Sequence, residues 1–201
     1  FATAIMVKHF STSITERGKN TPLLFGPKGD RFDLTISTLF FRGDPLSQLS
    51  MADFQLLDEE KRGLAVPLSL GFTARKFPVV GTTTDYFIAR NIVTKAGTVP
   101  LTLGDAVLGN ECATTLNAQI GDHILTDQVN LYDLSANYPL KLKIVGILGQ
   151  TKSADDNAIF TSMGTSWVIS GLGHGHEPIN EETANDKLLG KTEKQITANA
   201  S

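Results

Sequence analysis

Hydrophobic residues recur every three to five positions at the start of the chain. Ile5, Phe10 and Ile14 follow this spacing with charged residues among them, and Gly18 supplies a stop. Apolar positions at this period are typical of an amphipathic helix. The pattern therefore predicts a helix over residues 1–18. No capping residue precedes its first turn, as expected of a helix that continues from an earlier segment.

Polar and apolar residues alternate along residues 33–41, and this period of two predicts a strand. A second helix is expected to follow Ser50, because serine is a common residue at helix starts, and to end at Gly63. The apolar residues predicted to face the core from this helix are Met51, Phe54, Leu56 and Leu57.

The chain between residues 64 and 170 predicts short strands and short helices in both of its halves. Leu140, Leu142, Ile144 and Ile147 are spaced to enter a core. Both types of element recur throughout, which favours an α+β or mixed α/β fold. The predicted strands cover residues 64–73, 76–81, 106–109, 122–126, 128–132, 140–148 and 158–161, and the predicted helices cover residues 82–87, 111–116 and 163–170.

The last 31 residues differ in character from the rest. From Gly171 onward the chain has few large apolar residues and many charged ones. Such a composition does not bury enough apolar surface to fold alone. We expect either a disordered tail or a helix over residues 181–198 that becomes ordered against a partner.

Composition and charge narrow the class of protein. The 201 residues are 41% hydrophobic and 19% charged, which is typical of a soluble globular domain. The net charge of -3 provides no basic face, so nucleic acid is not an expected partner. The longest uncharged apolar stretch, residues 64–74, is interrupted by Pro67 and Gly71 and is too short to span a bilayer.

The sequence contains no motif that predicts a catalytic residue. Residues 26–29, Gly-Pro-Lys-Gly, lack the Gly-Lys-Ser/Thr ending of a phosphate-binding loop, and the Gly-x-Ser-x-Gly motif of hydrolases is absent. Cys112 is the single cysteine, so it forms no intrachain disulfide. Its apolar neighbours favour a small buried core residue over a reactive thiol.

Two further groups of residues have both a structural and a functional interpretation. Asp155 and Asp156 form a carboxylate pair that suits acid-base chemistry or a divalent cation, but their position between two strands favours a turn. Trp167 is spaced from Met163 as on one helix face, which favours the core over a ligand pocket or partner surface. The aromatic residues weighed together with Trp167 are Tyr86, Phe87 and Phe160.

A histidine-rich segment follows at residues 173–177. His174, His176 and Glu177 are potential ligands for zinc if the intervening glycines let them converge. Ordering a glycine-rich tail costs entropy, so the default interpretation is a solvated segment without metal. A zinc site at these three residues is the alternative, and the sequence predicts no other cofactor.

Five short blocks carry a resemblance to a known family. They are FPVVGTTTDYF (77–87), AVLGN (106–110), IGD (120–122), KIVGI (143–147) and DNAIF (156–160). In this order and spacing they resemble the MacB-like periplasmic domain of the FtsX-like permeases in ATP-binding cassette (ABC) systems. The matching blocks extend over most of the chain.

The resemblance implies a division of the chain. Residues 20–100 and 150–175 correspond to a mixed α/β porter-like subdomain, and residues 101–149 to a mostly β subdomain inserted within it. Residues 1–19 are then a stalk helix that continues the first transmembrane helix. Residues 176–201 are a polar tail, or a stalk toward the second transmembrane helix.

The resemblance also implies a function without catalysis. Such domains face the periplasm or the cell exterior from an inner (cell) membrane permease and transmit ATP-driven motion to substrates or partners outside. The implied partners are a cytoplasmic ABC ATPase acting through the full-length permease, a second permease subunit and a periplasmic adaptor or lipoprotein. Flanking segments connect the domain to the membrane, and ATP hydrolysis resides on the separate ATPase.

The alternative is a free-standing periplasmic module that binds a ligand or metal through residues 173–177. Hydrophobic segments of about 20 residues on both flanks of the full-length protein would favour the permease. A secretion signal without such segments would favour the binding module.

Overall fold

The computed structural model describes residues 2–19, 21, 23–43, 46–59, 63–127, 139–171, 188–192 and 195–198. The helices in these ranges are α1 (Ala2–Lys19), α2 (Arg31–Phe40), α3 (Met51–Glu59), α4 (Thr84–Ala89), α5 (Asn110–Leu116) and α6 (Met163–Ile169), together with a short 3-10 helix (Ala154–Asn157). The strands are β1 (Leu68–Ala74), β2 (Phe77–Thr82), β3 (Thr94–Gly97), β4 (Asp105–Leu108), β5 (His123–Leu125), β6 (Lys141–Leu148), β7 (Ile159–Ser162), β8 (Leu188–Thr192) and β9 (Gln195–Ala198).

Seven of the described strands form one mixed sheet. Its order is β1-β2-β7-β4-β6-β3, and β5 pairs with the first half of β6. The pairs β2/β7 and β4/β6 are parallel, whereas the other pairs are antiparallel. The predicted α+β fold class is therefore confirmed.

The central strands bury both of their faces. Val79 and Val80 are neighbours on β2 but enter two different hydrophobic clusters, and so do Ile159 and Phe160 on β7. Side chains of consecutive strand residues point to opposite faces of a sheet. The sheet therefore has apolar packing on each side, which explains the continuous apolar runs in these strands.

A loop contact brings β1 near the end of β5. The backbone N–H of Asp127, two residues after β5, donates to the carbonyl of Thr73 on β1 at 2.7 Å. The Asp127 carboxylate accepts from the Thr73 hydroxyl and from the backbone N–H groups of Arg75 and Lys76 at 2.8–2.9 Å. The sheet thus curls until its first strand meets the segment that follows β5.

The strand predicted at residues 33–41 is wrong, because the chain forms helix α2 there. The side chain of Asp30 accepts a hydrogen bond from the backbone N–H of Phe32 and begins the helix. Phe41 ends the helix in the left-handed conformation, with φ of 56°. The first turn of a helix leaves backbone N–H groups without a partner, and the Asp30 side chain pairs with one of them. This N-terminal cap therefore outweighs the alternating pattern of the sequence.

Helix α3 begins after Ser50, as predicted. The Ser50 hydroxyl accepts from the backbone N–H of Asp53, whose carboxylate accepts from Ser50 in return. This reciprocal cap fixes the first turn. The predicted core face is wrong at Leu56 and Leu57, which are 63% and 36% exposed. Burial within the described part of the chain therefore does not explain why these two residues are apolar.

One of the two expectations for the tail, a helix over residues 181–198, is contradicted at residues 188–192 and 195–198. Residues Leu188–Thr192 and Gln195–Ala198 form an antiparallel pair of strands. Gly190 weakens a helix at this point, and the β-branched residues Thr192, Ile196 and Thr197 favour extended backbone.

Strands from both predicted subdomains share the main sheet. β4 and β6, from residues 101–149, pair with β7 and β3, which come from the other part. The strand expected at residues 128–132 lies outside the described residues. None of the helices in the described ranges has the length and apolar character that crossing a bilayer requires.

Candidate functional site

A buried arginine joins helix α1 to the rest of the domain. Arg17 lies in the last turn of α1, two residues before its end, and is only 6% exposed. A charged side chain is rarely buried unless it is paired, because leaving water carries a large free-energy cost. The groups around Arg17 must therefore compensate its charge, and they determine how this end of α1 is held.

The main partner of Arg17 is Asp155. The two guanidinium nitrogens Nη1 and Nη2 donate to the two carboxylate oxygens at 2.8 and 2.9 Å. This is the bidentate geometry in which an arginine–carboxylate pair is strongest and most directional. The hydroxyl of Ser153 also accepts from Nη1, at 2.9 Å.

Two more groups complete the environment of the guanidinium. Nε donates to the backbone carbonyl of Leu39 in α2, and Nη2 donates to the Tyr86 hydroxyl at 3.4 Å. The five N–H donors of Arg17 are therefore all engaged within the domain. The guanidinium also lies 5.3 Å from the centre of the Phe41 ring, close enough for a cation–π contact. We call Arg17, Asp155, Tyr86 and Ser153 the Arg17 clamp.

The 3-10 helix positions Asp155. Ser153 caps this turn by accepting from the backbone N–H of Asp155. Asp156 stabilises the preceding loop, because its carboxylate accepts from the backbone N–H groups of Thr151 and Lys152 at 2.8 and 2.7 Å. The predicted turn is confirmed, and the two neighbouring carboxylates serve two different structural purposes.

Tyr86 connects the clamp to helix α4 and to the core. Its hydroxyl donates to Asp155 at 2.6 Å, while its ring lies 5.4 Å from the ring of Phe160 on β7. Phe160 also packs edge-to-face against Phe87 and Phe41, with ring centres 5.5 and 6.0 Å apart. The clamp therefore lies directly on the aromatic part of the core.

The backbone at the end of α1 is held as well as the side chain. The carbonyl of Arg17 accepts from Arg90, which follows α4, and from the hydroxyl of Thr21, both at 3.3 Å. Cations near a helix C-terminus are favoured by the helix dipole. Arg90 in turn lies 5.7 Å from the Tyr86 ring centre.

Electrostatics keeps each group of the clamp in one protonation state. Burial alone would raise the pKa of Asp155, but hydrogen bonds from Arg17, Tyr86 and Ser153 and the charge of Arg17 hold that pKa below its usual value. Burial would lower the pKa of Arg17, yet Asp155 raises it overall. The pKa of Tyr86 is raised, first by burial and then by the charge of Asp155. The clamp thus contains a charged pair and a neutral phenol at physiological pH.

The clamp has no free group with which to perform chemistry. The donors of Arg17 are used, and Asp155 accepts from three side chains. Cys112 is buried, and burial raises the pKa of its thiol to about 12, so it is a poor nucleophile. The prediction that Cys112 is a buried core residue is confirmed. The arrangement can hold α1 in place, but it offers no general base or nucleophile.

The other sequence predictions have mixed outcomes. Tyr86, Phe87 and Phe160 are buried, as expected of core aromatics. The prediction that Trp167 is a core residue is wrong, since it is 38% exposed. Helix α6 turns a different face inward, and the buried residues on that face are Thr165, Ser166 and Ile169.

The predicted zinc ligands His174, His176 and Glu177 lie outside the described residues, so that site stays a prediction. Within the described ranges, no three His, Cys, Asp or Glu side chains are grouped to hold a metal ion. An open hollow of about 400 Å³ lies beside α4, with Phe87, Ile88 and Val93 among its lining residues. Its lining contains no acid, base or cation.

The sequence did not reveal the Arg17 clamp. Arg17 follows Ile14 by three positions and therefore continues the apolar stripe predicted for α1. This spacing is the one local signal of an inward orientation. Its carboxylate partner is 138 positions away along the chain. Spacing within a helix contains no information about so distant a partner.

No protein-family model matches the sequence, and no curated protein matches it. The fold is similar to the periplasmic region of MacB. That crystal structure, from Actinobacillus actinomycetemcomitans, gives a TM-score of 0.47 at 12% identity, over 70% of this chain and 71% of that chain. The MacB periplasmic region is the kind of domain that the five sequence blocks resemble.

A second crystal structure shows a domain provisionally assigned to a permease protein from Porphyromonas gingivalis. It gives a TM-score of 0.38 at 10% identity. The match covers 66% of this chain and 65% of that chain.

Proposed function

We propose that this chain is the extracytoplasmic domain of an ABC transporter permease subunit, and that it transmits ATP-driven motion to substrates or partners outside the inner membrane. The five sequence blocks that resemble the MacB-like periplasmic domain support this proposal. The block at residues 77–87 includes Tyr86, and the block at residues 156–160 begins directly after Asp155. The blocks thus coincide with the elements that hold the Arg17 clamp.

The observation that carries the proposal is the fastening of α1. A helix that moves a domain must be fixed to it at one end, because a loose end would absorb the displacement. The Arg17 side chain and the Arg17 carbonyl are both bonded to other elements of the domain. Helix α1 therefore has the connection that a stalk requires.

The absence of free chemical groups in the clamp fits a non-catalytic domain. ATP hydrolysis would reside on a cytoplasmic ATPase subunit that acts through the full-length permease. A second permease subunit, a periplasmic adaptor or lipoprotein, and membrane segments flanking residues 1–201 are the further partners of this proposal. The domain would face the periplasm or the cell exterior.

Cysteine labelling in the full-length protein tests the location. Lys95 on β3 is exposed, whereas the natural Cys112 is buried and serves as an internal control. With Lys95→Cys, we expect a membrane-impermeant maleimide to label the protein in spheroplasts, and an ATPase subunit to co-purify in detergent. Labelling only after lysis would contradict the proposal.

The second candidate is a binding module that uses residues 173–177, and the cluster of His174, His176 and Glu177 favours it. Titration calorimetry of this chain with Zn²⁺ at neutral pH tests this function, with His174→Ala/His176→Ala as the matched control. Binding that the double substitution abolishes would support the module. Absence of heat with the unmodified chain would eliminate it.

A further inference from the structure

Arg17 is bonded to three separate elements of the domain. Nε reaches the Leu39 carbonyl in α2, the two Nη atoms reach Asp155 in the 3-10 helix, and Nη2 also reaches Tyr86 in α4. Three anchor points that do not share an element restrict both the tilt of α1 and its rotation about its own axis. A single contact would restrict neither.

The choice of a charged residue at this buried position is informative. An apolar side chain of similar volume often stabilises a core as well as a buried ion pair does, because it avoids the cost of removing charges from water. Apolar packing, however, tolerates several orientations, whereas a planar guanidinium satisfies its acceptors in one. The arginine therefore restricts the orientation of α1 more narrowly than an apolar side chain of similar volume would.

The clamp also meets the sheet at two neighbouring strands. Asp155 lies four residues before β7, and Tyr86 lies four residues after β2. β2 and β7 are parallel neighbours at the middle of the sheet. A displacement of α1 would therefore reach the central strands directly and not through an edge strand.

We infer that Arg17 is a positioning residue that sets the direction of α1 relative to the sheet, and that it delivers movement of α1 to β7 through Asp155 and to α4 through Tyr86. The first part concerns this chain alone. The second part rests on the proposed function.

Distance measurements between spin labels test the direction of α1. Ser11 on α1 and Lys95 on β3 are exposed, and each is replaced by a labelled cysteine, while the buried Cys112 is replaced by alanine. The unmodified clamp should give one narrow distance distribution. Arg17→Lys keeps the charge but loses the planar fork, so the distribution should broaden at least twofold. Lys8→Met, an exposed position on the same helix, should leave it unchanged.

Arg17→Met/Asp155→Leu guards against a variant that simply fails to fold. This pair removes both buried charges, and its near-ultraviolet circular dichroism should match that of the parent. A broad distribution in this folded variant supports the inference, and a narrow, unshifted distribution overturns it. Either result stands whether or not the spheroplast labelling supports a permease, so the two proposals fail separately.

Discussion

The guanidinium of Arg17 binds the carboxylate of Asp155 through two hydrogen bonds of 2.8 and 2.9 Å, across 138 positions of sequence. Both side chains are almost entirely buried. The pair joins the last turn of α1 to the 3-10 helix that immediately precedes β7. Its energetics can be separated from simple packing by substitution.

Removal of one partner should be costly, and removal of both should be tolerated. Arg17→Met leaves the Asp155 carboxylate buried without its cation, and we expect a loss of about 3–5 kcal/mol in the free energy of unfolding. Arg17→Met/Asp155→Leu should recover most of that loss. Urea denaturation measures both. Lys8→Met should change stability by about 0.5 kcal/mol or less, since it is exposed. A cost below about 1 kcal/mol for Arg17→Met would contradict the prediction.

The clamp should make the domain sensitive to acid. The pKa of Asp155 is lowered in the folded protein, so the unfolded chain takes up its proton first as the pH falls. The stabilisation is present above the unfolded pKa of about 3.9 and is lost as the pH falls from there through the folded value. Urea unfolding between pH 6 and pH 2 should show the parent losing stability relative to Arg17→Met/Asp155→Leu below about pH 4. Parallel profiles would refute this.

Gly109 should be required for close approach of the loop that presents Asp155. A methyl group at this position would overlap the backbone carbonyl oxygens of Asp155 and Asp156. Gly109→Ala is expected to cost about 1–3 kcal/mol through overpacking. Gly63→Ala is the matched control, because no atom lies within 4 Å of its added carbon. Equal changes in melting temperature for the two variants would show that the backbone at Asp155 and Asp156 moves to accommodate the methyl group and would contradict the prediction.

The hairpin between β1 and β2 should be improvable. Arg75 and Lys76 occupy its two-residue turn with φ of 51° and 69°, a conformation that favours glycine. Lys76→Gly should raise the unfolding free energy by about 1 kcal/mol. Lys143→Gly on strand β6, an exposed position where the pairing with β5 is regular, should lower it by about 0.5–1 kcal/mol, since glycine weakens a regular strand. Destabilisation by both would indicate that Lys76 makes a contact that outweighs its strain.

Strands with strong apolar patterns were predicted well from the sequence. Leu140, Leu142 and Ile144 are buried, and Ile147 packs against the same core. A strand buried on one or both faces has a repetitive pattern that depends only on its own residues. Helix α2 was mispredicted because one aspartate before it, Asp30, decides the conformation of the segment.

The clamp itself depends on tertiary structure. A charged residue at the end of an amphipathic helix is usually solvated, so Arg17 is unremarkable by itself in the sequence. Asp155 was correctly placed in a turn, but the turn alone does not specify its partner. The structure supplies what the pattern lacks, namely that α2, α4 and the 3-10 helix converge on one helix end.

The position of β7 between β2 and β4 has a consequence for how the protein is made. On the ribosome, the two flanking strands emerge long before β7, and neither pairs with the other in the finished sheet. Since β7 is the strand that joins β2 to β4, the two parts of the sheet cannot be connected until about residue 162 has been synthesised. Asp155, the carboxylate partner of Arg17, emerges equally late. The first helix therefore lacks its ion pair until most of the polypeptide has appeared, and contacts so distant in sequence are expected to make folding slow.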